Sequence, residues 1–261
     1  MTLNDKLIER ERYDARAQSQ LAQTAASAEV PLGSQTMVAY LRTPYLVYEQ
    51  QIADLVQAGS RVLELGAGAG LHTRALLQTG AHVTASDISP HSLSLLRQRF
   101  QQTAGNLETA VADMECLPFA PDSFDVVVSA GSLSYGEPRL VDAEIRRVLR
   151  PGGMLLCVDS LNHNPVYRLN RWLHYRRGDR SLSTLKRMPD LRRILALGQG
   201  FEALEVRYFG ALSYLMPVLA RLVGENGAQS ISDRLDRWIG VKRSGFKFVL
   251  AARGLNKTDP T

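Results

Sequence analysis

The fold of this chain is decided by the run Val-Leu-Glu-Leu-Gly-Ala-Gly-Ala-Gly at residues 62–70. Its apolar half is typical of a buried β-strand, and its glycines permit a tight turn, because glycine adopts positive φ and lets the backbone approach a ligand closely. A second β-rich run at residues 81–87 ends in Asp87. A strand, a glycine turn, a helix and a second strand that ends in an acid form a nucleoside-binding unit, whose carboxylate accepts hydrogen bonds from a ribose diol.

The spacing of the glycines distinguishes between two classes of bound cofactor. A dinucleotide fingerprint needs a third glycine three positions after the second, and Leu71 stands there. The third glycine is instead Gly70, and Glu64 lies two positions before the first glycine. This E-x-G-x-G-x-G pattern resembles the first motif of class I S-adenosylmethionine (SAM)-dependent methyltransferases.

Two further stretches extend the resemblance. Residues 113–125 read Asp-Met-Glu-Cys-Leu-Pro-Phe-Ala-Pro-Asp-Ser-Phe-Asp, and residues 143–153 read Ala-Glu-Ile-Arg-Arg-Val-Leu-Arg-Pro-Gly-Gly. Both are similar to motifs of the ubiquinone-biosynthesis-type methyltransferases and follow in the same order. The resemblance covers residues 40–160. It implies an α/β fold with a Rossmann-like, seven-stranded mixed sheet whose last strand is antiparallel, helices on both faces and a helical insertion between strands five and six.

The same resemblance implies SAM as the cofactor and assigns residues to it. Asp87 is expected to bind the ribose hydroxyls, and Asp113 with the backbone of Met114 to meet the adenine edge. Glu64 is expected to line the methionyl end. A tyrosine near the N-terminus folds over the cofactor in related methyltransferases, and Tyr13 is the candidate here. The other residues that we assign to the cofactor are Gly66, Gly68, Gly70, Ile88 and Ser129.

Length and composition are typical of a globular protein and leave room for one α/β domain with an insertion or lid. The chain has 261 residues, of which 45% are hydrophobic and 22% are charged. Residues 1–16 are charged and lack an apolar core, so we expect no secretory signal. Cys116 and Cys157 show no paired spacing and no His/Cys metal cluster is visible. We therefore predict reduced thiols, a cytoplasmic protein and no metal site.

The formal charge of +5 is concentrated in one segment. Residues 161–200 hold nine basic residues against Asp179 and Asp190, a net +7; the basic residues are Arg168, Arg171, Arg176, Arg177, Arg180, Lys186, Arg187, Arg192 and Arg193. We predict four parts: a helical cap over the cofactor (1–40), a SAM-binding core (41–160), a basic substrate-binding insertion (161–200), and a sheet-completing part with amphipathic lid helices (201–261). A basic face attracts phosphates, nucleic acid or an anionic membrane; a solvated helix surface is the alternative.

The most apolar stretch, residues 209–224, leaves two interpretations open. It is shorter than the ~20 residues that a membrane-spanning helix needs. Leu215, Val218, Leu219 and Leu222 share one helical face, and Ile231, Leu235 and Trp238 indicate a second amphipathic helix. These helices either pack as core or lid, or rest on the inner membrane surface as a peripheral contact.

Methyl transfer to a hydroxyl requires a general base near the carboxyl ends of strands four and five. His163 is the predicted base, because its unperturbed pKa suits the task, and Asp159 either orients it or acts itself. His174 is the second candidate. His72, His82 and His91 lie in the cofactor half and receive no catalytic role.

The predicted acceptor has a ring and an anionic group. Arginine binds phosphate bidentately and aromatic side chains stack on rings; the residues assigned to the acceptor are Tyr135, Tyr167, Arg168, Arg171, Trp172, His174, Tyr175 and Arg176. The segment after strand five is weakly similar to methyltransferases of bacterial surface polysaccharides, so O-methylation of a sugar or glycan hydroxyl is favoured. Methylation of tRNA or other nucleic acid, or of a quinone or lipid-like molecule, remains open, as does a SAM-binding protein without catalysis.

Overall fold

The structure is a computed structural model, and it describes residues 3–24, 33–101, 105–176, 182–238, 242 and 244–257. Seven strands form a single sheet with the order β3-β2-β1-β4-β5-β7-β6. The strands are β1 (Arg61–Leu65), β2 (His82–Asp87), β3 (Leu107–Val111), β4 (Phe124–Ala130), β5 (Leu149–Ser160), β6 (Phe201–Phe209) and β7 (Lys247–Leu255).

The pairing of the strands confirms the predicted Rossmann-like mixed sheet. Each pair among β1 to β5 is parallel, whereas β7 runs antiparallel to both β5 and β6. The chain order reverses between β1 and β4, which is the topological switch point at which α/β sheets of this kind bind ligands. The fold class expected from the motifs is therefore correct.

Nine helices surround the sheet in the described part of the chain. They are α1 (Leu3–Thr24), α2 (Thr43–Leu55), α3 (Thr73–Gln78), α4 (Pro90–Arg99), α5 (Pro138–Val148), α6 (Pro165–Arg176), α7 (Leu182–Arg187), α8 (Leu191–Gly198) and α9 (Met216–Trp238). Within the described residues, the segment between β5 and β6 contains α6, α7 and α8 and no strand, which agrees with the predicted helical insertion.

The sheet has an apolar core on each face. Successive side chains of a strand point to opposite faces, so the apolar residues of the central strands contribute to both cores. Val62 of β1 and Val126 of β4 pack with α2 residues such as Ile52. Their neighbours Leu63 and Val127 pack on the other face, in a cluster that includes Ile145 of α5 and Ile194 of α8.

Helix α9 is interrupted at Gly224, where φ is 75° and ψ is 165°. This break divides the two amphipathic stretches that the sequence indicates. Its second part packs beside the short 3-10 turn Ala39–Leu41: Gln229 Nε2 donates to Thr43 Oγ1 over 3.2 Å, and the backbone N–H of Ala39 donates to the Glu225 carboxylate. No helix in the described ranges is both long enough and apolar enough to cross a bilayer.

Candidate functional site

A cavity of about 310 Å³ opens at the carboxyl edge of the sheet. Four neighbouring strands contribute to it through the residues at or just after their ends: Glu64 from β1, Asp87 from β2, Asp113 from β3 and Gly131 after β4. Its volume falls within the range of about 300–1,000 Å³ that is usual for small-molecule sites.

Asp87 connects the glycine turn to the end of β2. Its Oδ2 accepts a hydrogen bond from the backbone N–H of Gly68 and its Oδ1 accepts one from Ser89, each 2.8 Å long. Burial raises the pKa of Asp87 above its ordinary value, although these N–H groups oppose the shift. A carboxylate has about four lone-pair directions, so the Asp87 oxygens can still accept hydrogen bonds from a diol in the cavity, which Asp87 lines together with Ile88.

Glu64 is a buried acid in the cavity wall. Thr73 Oγ1 donates to its Oε2 over 2.6 Å, and burial raises the pKa of Glu64 from 4.5 to about 7. A carboxyl group in this condition gains from a nearby positive charge, which favours its ionised form. The wall at this position therefore suits a cationic ligand.

The glycines of the turn have different surroundings. Gly66 and Gly68 line the cavity, and a Cβ added to Gly68 would meet no atom within 4 Å. Gly70 instead packs on α4, where a Cβ would lie 2.8 Å from Phe100 Cε2 and 3.0 Å from Leu96 Cγ. Gly70 was predicted to contact the cofactor, but it lies outside the cavity wall. The space next to its Cα is filled by Leu96 of α4 and by Phe100.

Ser129 also lies outside the wall, although the sequence assigned it to the cofactor. It is fully buried in β4, and its Oγ shares a 2.6 Å hydrogen bond with Ser132 Oγ, which in turn bonds the Leu65 carbonyl. Ser132 therefore stands between Ser129 and the glycine turn, and Ser132 is the serine that lines the cavity.

Gly70→Ala and Gly68→Ala form a matched pair for stability. Both glycines have positive φ, 81° and 54°, so alanine costs about 1–2 kcal/mol of backbone strain at either position. At Gly70 the contacts with Phe100 and Leu96 add overpacking of about 1–3 kcal/mol. Urea unfolding without ligand should show the greater loss for Gly70→Ala; equal losses would mean that α4 does not press on this glycine.

Helix α1 covers the cavity with one of its faces. Lys6, Glu9, Tyr13 and Ala17 recur at helical spacing and all line the wall. Lys6 Nζ makes ion pairs with Asp113 and Glu115 in the loop after β3. The ring of Tyr13 meets that of Tyr135 edge to face at 5.7 Å. The residues predicted near the adenine, Asp113 and Met114, therefore lie beneath the start of α1.

His72, for which the sequence predicted no catalytic role, lies in the cavity wall. His72 is 6% exposed, and its Nδ1 lies 3.0 Å from Glu49 Oε1. Tyr45 stacks parallel to the imidazole with ring centroids 5.3 Å apart. Ser34 Oγ donates to the second Glu49 oxygen over 2.6 Å. In the described part of the chain, only Nδ1 of His72 has a hydrogen-bond partner, which leaves Nε2 for a group inside the cavity.

Glu49 orients the ring of this histidine. Burial would raise the pKa of Glu49, but the hydrogen bonds from His72 and Ser34 hold it below its ordinary value. An ionised Glu49 accepts a hydrogen bond from Nδ1–H, which orients the imidazole ring and leaves Nε2 without a partner among the described residues. A carboxylate–histidine pair of this kind can accept a proton from a bound ligand.

The two residues predicted to be catalytic lie outside the cavity wall. His163 is exposed in the loop before α6 and does not contribute to the cavity wall. Asp159 is 2% exposed; its Oδ2 accepts from the Leu133 N–H over 3.0 Å and its Oδ1 from Ser160 over 2.6 Å. Burial raises the pKa of Asp159. Asp159 thus holds the Leu133–Tyr135 turn, and the expectation that it serves as a base is not supported by its position.

Of the residues predicted to bind the acceptor, only Tyr135 lines the cavity among those whose side chains are described. Tyr167 is buried and its hydroxyl donates to the Gly210 carbonyl over 2.8 Å, so it anchors α6 to the segment before α9. Arg168 and Trp172 are exposed on α6. The side chains of Arg171, His174, Tyr175 and Arg176 lie outside the described residues.

Some of the basic residues in the segment 161–200 hold the fold together through buried or paired contacts. Arg193 is buried, donates to the Leu133 carbonyl over 2.8 Å, and pairs with Asp142 at 3.2 Å. Arg187 pairs with Glu137 at 3.7 Å. None of the described residues of 161–200 lines the cavity. A search of the described residues finds no group of three His, Cys, Asp or Glu side chains able to hold a metal ion.

Comparison with known proteins identifies a domain that contributes most of the residues in the cavity wall. Residues 63–157 match the family model described as a methyltransferase domain. A demethylmenaquinone methyltransferase of Clavibacter sepedonicus is 43% identical over 115 residues, which are 42% of this chain and 46% of that protein. The chain thus spans about half the length of the curated relatives that it matches.

Solved structures share the fold at low identity. The cyclase SpnF has a TM-score of 0.61 at 18% identity and covers 95% of each chain. Phosphoethanolamine N-methyltransferase 2 of Haemonchus contortus, solved with SAM, has a TM-score of 0.57 at 19% identity over 79% of this chain and 51% of that one. Because one of these proteins is a cyclase, the fold alone does not determine the reaction.

The cavity residues fit SAM. The cofactor carries a sulfonium and an ammonium charge, and the wall offers the buried acid Glu64 and the carboxylate of Asp87. The open side of Gly68 leaves room for a ligand against the backbone. The adenine end of such a ligand would meet Asp113 and Met114, and its methionyl end would meet Glu64, Gly66 and Gly68.

Proposed function

We propose that the protein transfers the methyl group of SAM to a hydroxyl-bearing acceptor with a flat or apolar ring, because residues 63–157 match a methyltransferase domain. The observation that carries this proposal is the pairing of a cofactor cradle, at Glu64 and Asp87, with a histidine–glutamate pair in the same cavity. The methylated hydroxyl then loses its proton to the protein.

The part of the wall around His72 supports an apolar acceptor. Its neighbours in the lining include Met37, Tyr45 and Leu71, whose side chains suit an aromatic or lipid-like ring. Among the described residues of the wall, Lys6 is the only lysine or arginine, and it already pairs with two acids. A phosphate-bearing sugar therefore finds less support than a quinone-type ring, the class to which the name of the Clavibacter relative also points.

The protein's contribution to the reaction is alignment and proton removal. SAM supplies an activated methyl group, so the cavity has to hold the acceptor in line with it and exclude water. We assign to helix α1, whose residues line the cavity, the role of limiting the access of water. We assign to His72 Nε2 the role of accepting the acceptor proton, and to Glu49 that of stabilising the resulting imidazolium through Nδ1–H. His72 thus replaces His163 as the proposed general base.

His72→Asn should separate catalysis from cofactor binding. We expect the rate of methyl transfer to fall by about 10²–10⁴, the usual contribution of a general base, while SAM affinity changes less than about threefold. Glu49→Gln should cause a smaller loss and shift the pH–rate profile, because the imidazolium loses its counter-charge. His82→Asn is the matched control, since His82 is exposed at the start of β2. An unchanged rate in His72→Asn would remove the base from the mechanism.

The acceptor class is tested with labelled SAM and three probes: a short-chain prenylated hydroquinone, a sugar nucleotide and unfractionated tRNA. We expect label in the hydroquinone. Label only in the sugar nucleotide would favour the glycan prediction, and label in tRNA with steep salt dependence would favour nucleic acid. SAM binding without transfer to any probe would contradict the proposed acceptor class and favour a binding protein.

A further inference from the structure

Large apolar side chains are exposed at the beginning of α9. Leu222 is 77% exposed, Val218 59% and Val223 50%, and Leu215 is also exposed. Leu215, Val218 and Leu222 follow the spacing of one helical face. Because Gly224 ends the regular helix here, this apolar turn is set apart from the second part of α9, which packs on the body of the protein.

Helix α6 carries a second exposed apolar stripe. Val166, Leu169 and Trp172 are spaced three residues apart and all are exposed, Leu169 at 59%. The two stripes are joined: Tyr167 donates to the Gly210 carbonyl, and the Tyr214 N–H donates to Tyr167 over 3.2 Å. We call these exposed side chains of α6 and of residues 214–223 the apolar face.

The apolar face lies at the same edge of the sheet as the cavity. Lys247 pairs with both Ser160 and Phe209, so β5 and β6 end at one edge. Helix α6 follows β5 and the start of α9 follows β6. Between the face and the cavity runs the segment at residues 37–39: Met37 lines the cavity, Val38 is exposed, and the Ala39 N–H meets Glu225 of α9.

The charge of the same two segments is entirely positive. Residues 160–176 contain Arg168, Arg171 and Arg176 without an acidic residue, and residues 209–224 contain Arg221 without one. Arg168 and Arg221 are exposed. Exposed apolar side chains next to arginines are typical of helices that lie in the interface of an anionic membrane.

We propose that the apolar face docks the protein on an anionic lipid membrane, with the mouth of the cavity turned toward the bilayer. Apolar side chains enter the headgroup boundary, and the arginines meet lipid phosphates. A ring-bearing acceptor dissolved in the bilayer would then reach His72 past Met37 and Val38 without crossing water. Because docking needs neither SAM nor an acceptor, it can be tested separately from methyl transfer.

The test is sedimentation of the full chain with vesicles, in the absence of SAM. We expect binding to vesicles of phosphatidylglycerol and phosphatidylcholine, weaker binding at high salt, and little binding to phosphatidylcholine alone. Val218→Glu with Leu222→Glu should lower partitioning at least about tenfold. Leu195→Glu is the matched control, because Leu195 is 58% exposed on α8 and lies outside the apolar face.

Thermal unfolding and SAM titration establish that each variant is folded. Absence of binding to anionic vesicles, or equal binding of the double variant and the wild type, would overturn the proposal. So would a stable dimer in solution that the double variant dissociates while vesicle binding is lacking, since the apolar face would then be an interface between two copies of the chain.

Discussion

Asp87→Ala is expected to raise the dissociation constant for SAM at least about 100-fold. The Asp87 carboxylate can accept two hydrogen bonds from the ribose diol, and hydrogen bonds to a charged group contribute about 1.5–3 kcal/mol each. The substitution also removes the acceptor of the Gly68 N–H, so the glycine turn loses its tether to β2. Isothermal calorimetry with SAM measures the change directly.

Asp125→Ala controls for the structural part of this effect. Asp125 also accepts a backbone N–H bond, from Arg61 over 2.7 Å, and pairs with Arg150. It lies at the start of β4, at the opposite edge of the sheet from the cavity. We expect both variants to lose some stability in thermal unfolding and only Asp87→Ala to lose SAM. Unchanged affinity in Asp87→Ala would mean that this acid merely begins a turn.

Glu64→Gln is expected to stabilise the ligand-free protein at pH 8 while weakening SAM binding. Burial raises the pKa of Glu64 from 4.5 to about 7, so its ionised form is disfavoured in the folded state. At about 1.4 kcal/mol per pKa unit, ionised Glu64 costs on the order of 3 kcal/mol above pH 7. Glutamine removes this cost and also removes the negative charge that faces the cationic cofactor.

The effect of Glu64 on the stability of the folded protein changes with pH in a definite direction. Below pH 4.5 the carboxyl is protonated in the folded and unfolded states alike, and it contributes no difference. Between pH 4.5 and about 7 the folded state binds the Glu64 proton more tightly than the unfolded state does. The contribution of Glu64 to the free energy of unfolding of the wild type therefore falls as pH rises. Urea unfolding should therefore show a gap between Glu64→Gln and wild type that opens through this window. Glu108→Gln, at an exposed position of β3, should show none.

SAM binding should also expel the Glu64 proton. A cation beside this carboxyl favours its ionised form, so calorimetry at pH 6 in buffers of different ionisation enthalpy should detect proton release, and release should decline toward pH 8. Glu64→Gln should lack it. Equal proton release in wild type and Glu64→Gln would contradict the placement of the positive charge of SAM next to Glu64.

The sheet and the cofactor cradle could be predicted because their signals are local. Glu64, the glycines and Asp87 belong to one strand–turn–helix–strand unit, and the ends of adjacent parallel strands necessarily meet at one edge. A local motif does not determine tertiary contacts. Gly70 fits the motif by its position in the sequence, but its surroundings depend on how α4 packs. Likewise Tyr167 has a suitable residue type for ring stacking, yet its hydroxyl is used inside the fold.

The His72–Glu49 pair could not be predicted from the sequence. The two residues lie on either side of β1 in the chain, and they meet only because α2 packs beside the start of α3. The signal available was a histidine directly after the glycine turn, which pattern alone does not distinguish from a helix-capping residue. His163 had the expected position after β5, but its side chain is exposed and lies outside the cavity wall.

Calorimetric titration of the wild-type chain with SAM and with NADH tests the central claim most directly. One SAM bound per chain with micromolar affinity, and no binding of NADH, is the result expected of the cavity that Glu64 and Asp87 line. Binding of NADH without binding of SAM would contradict the assignment of this cavity and the roles given to its residues.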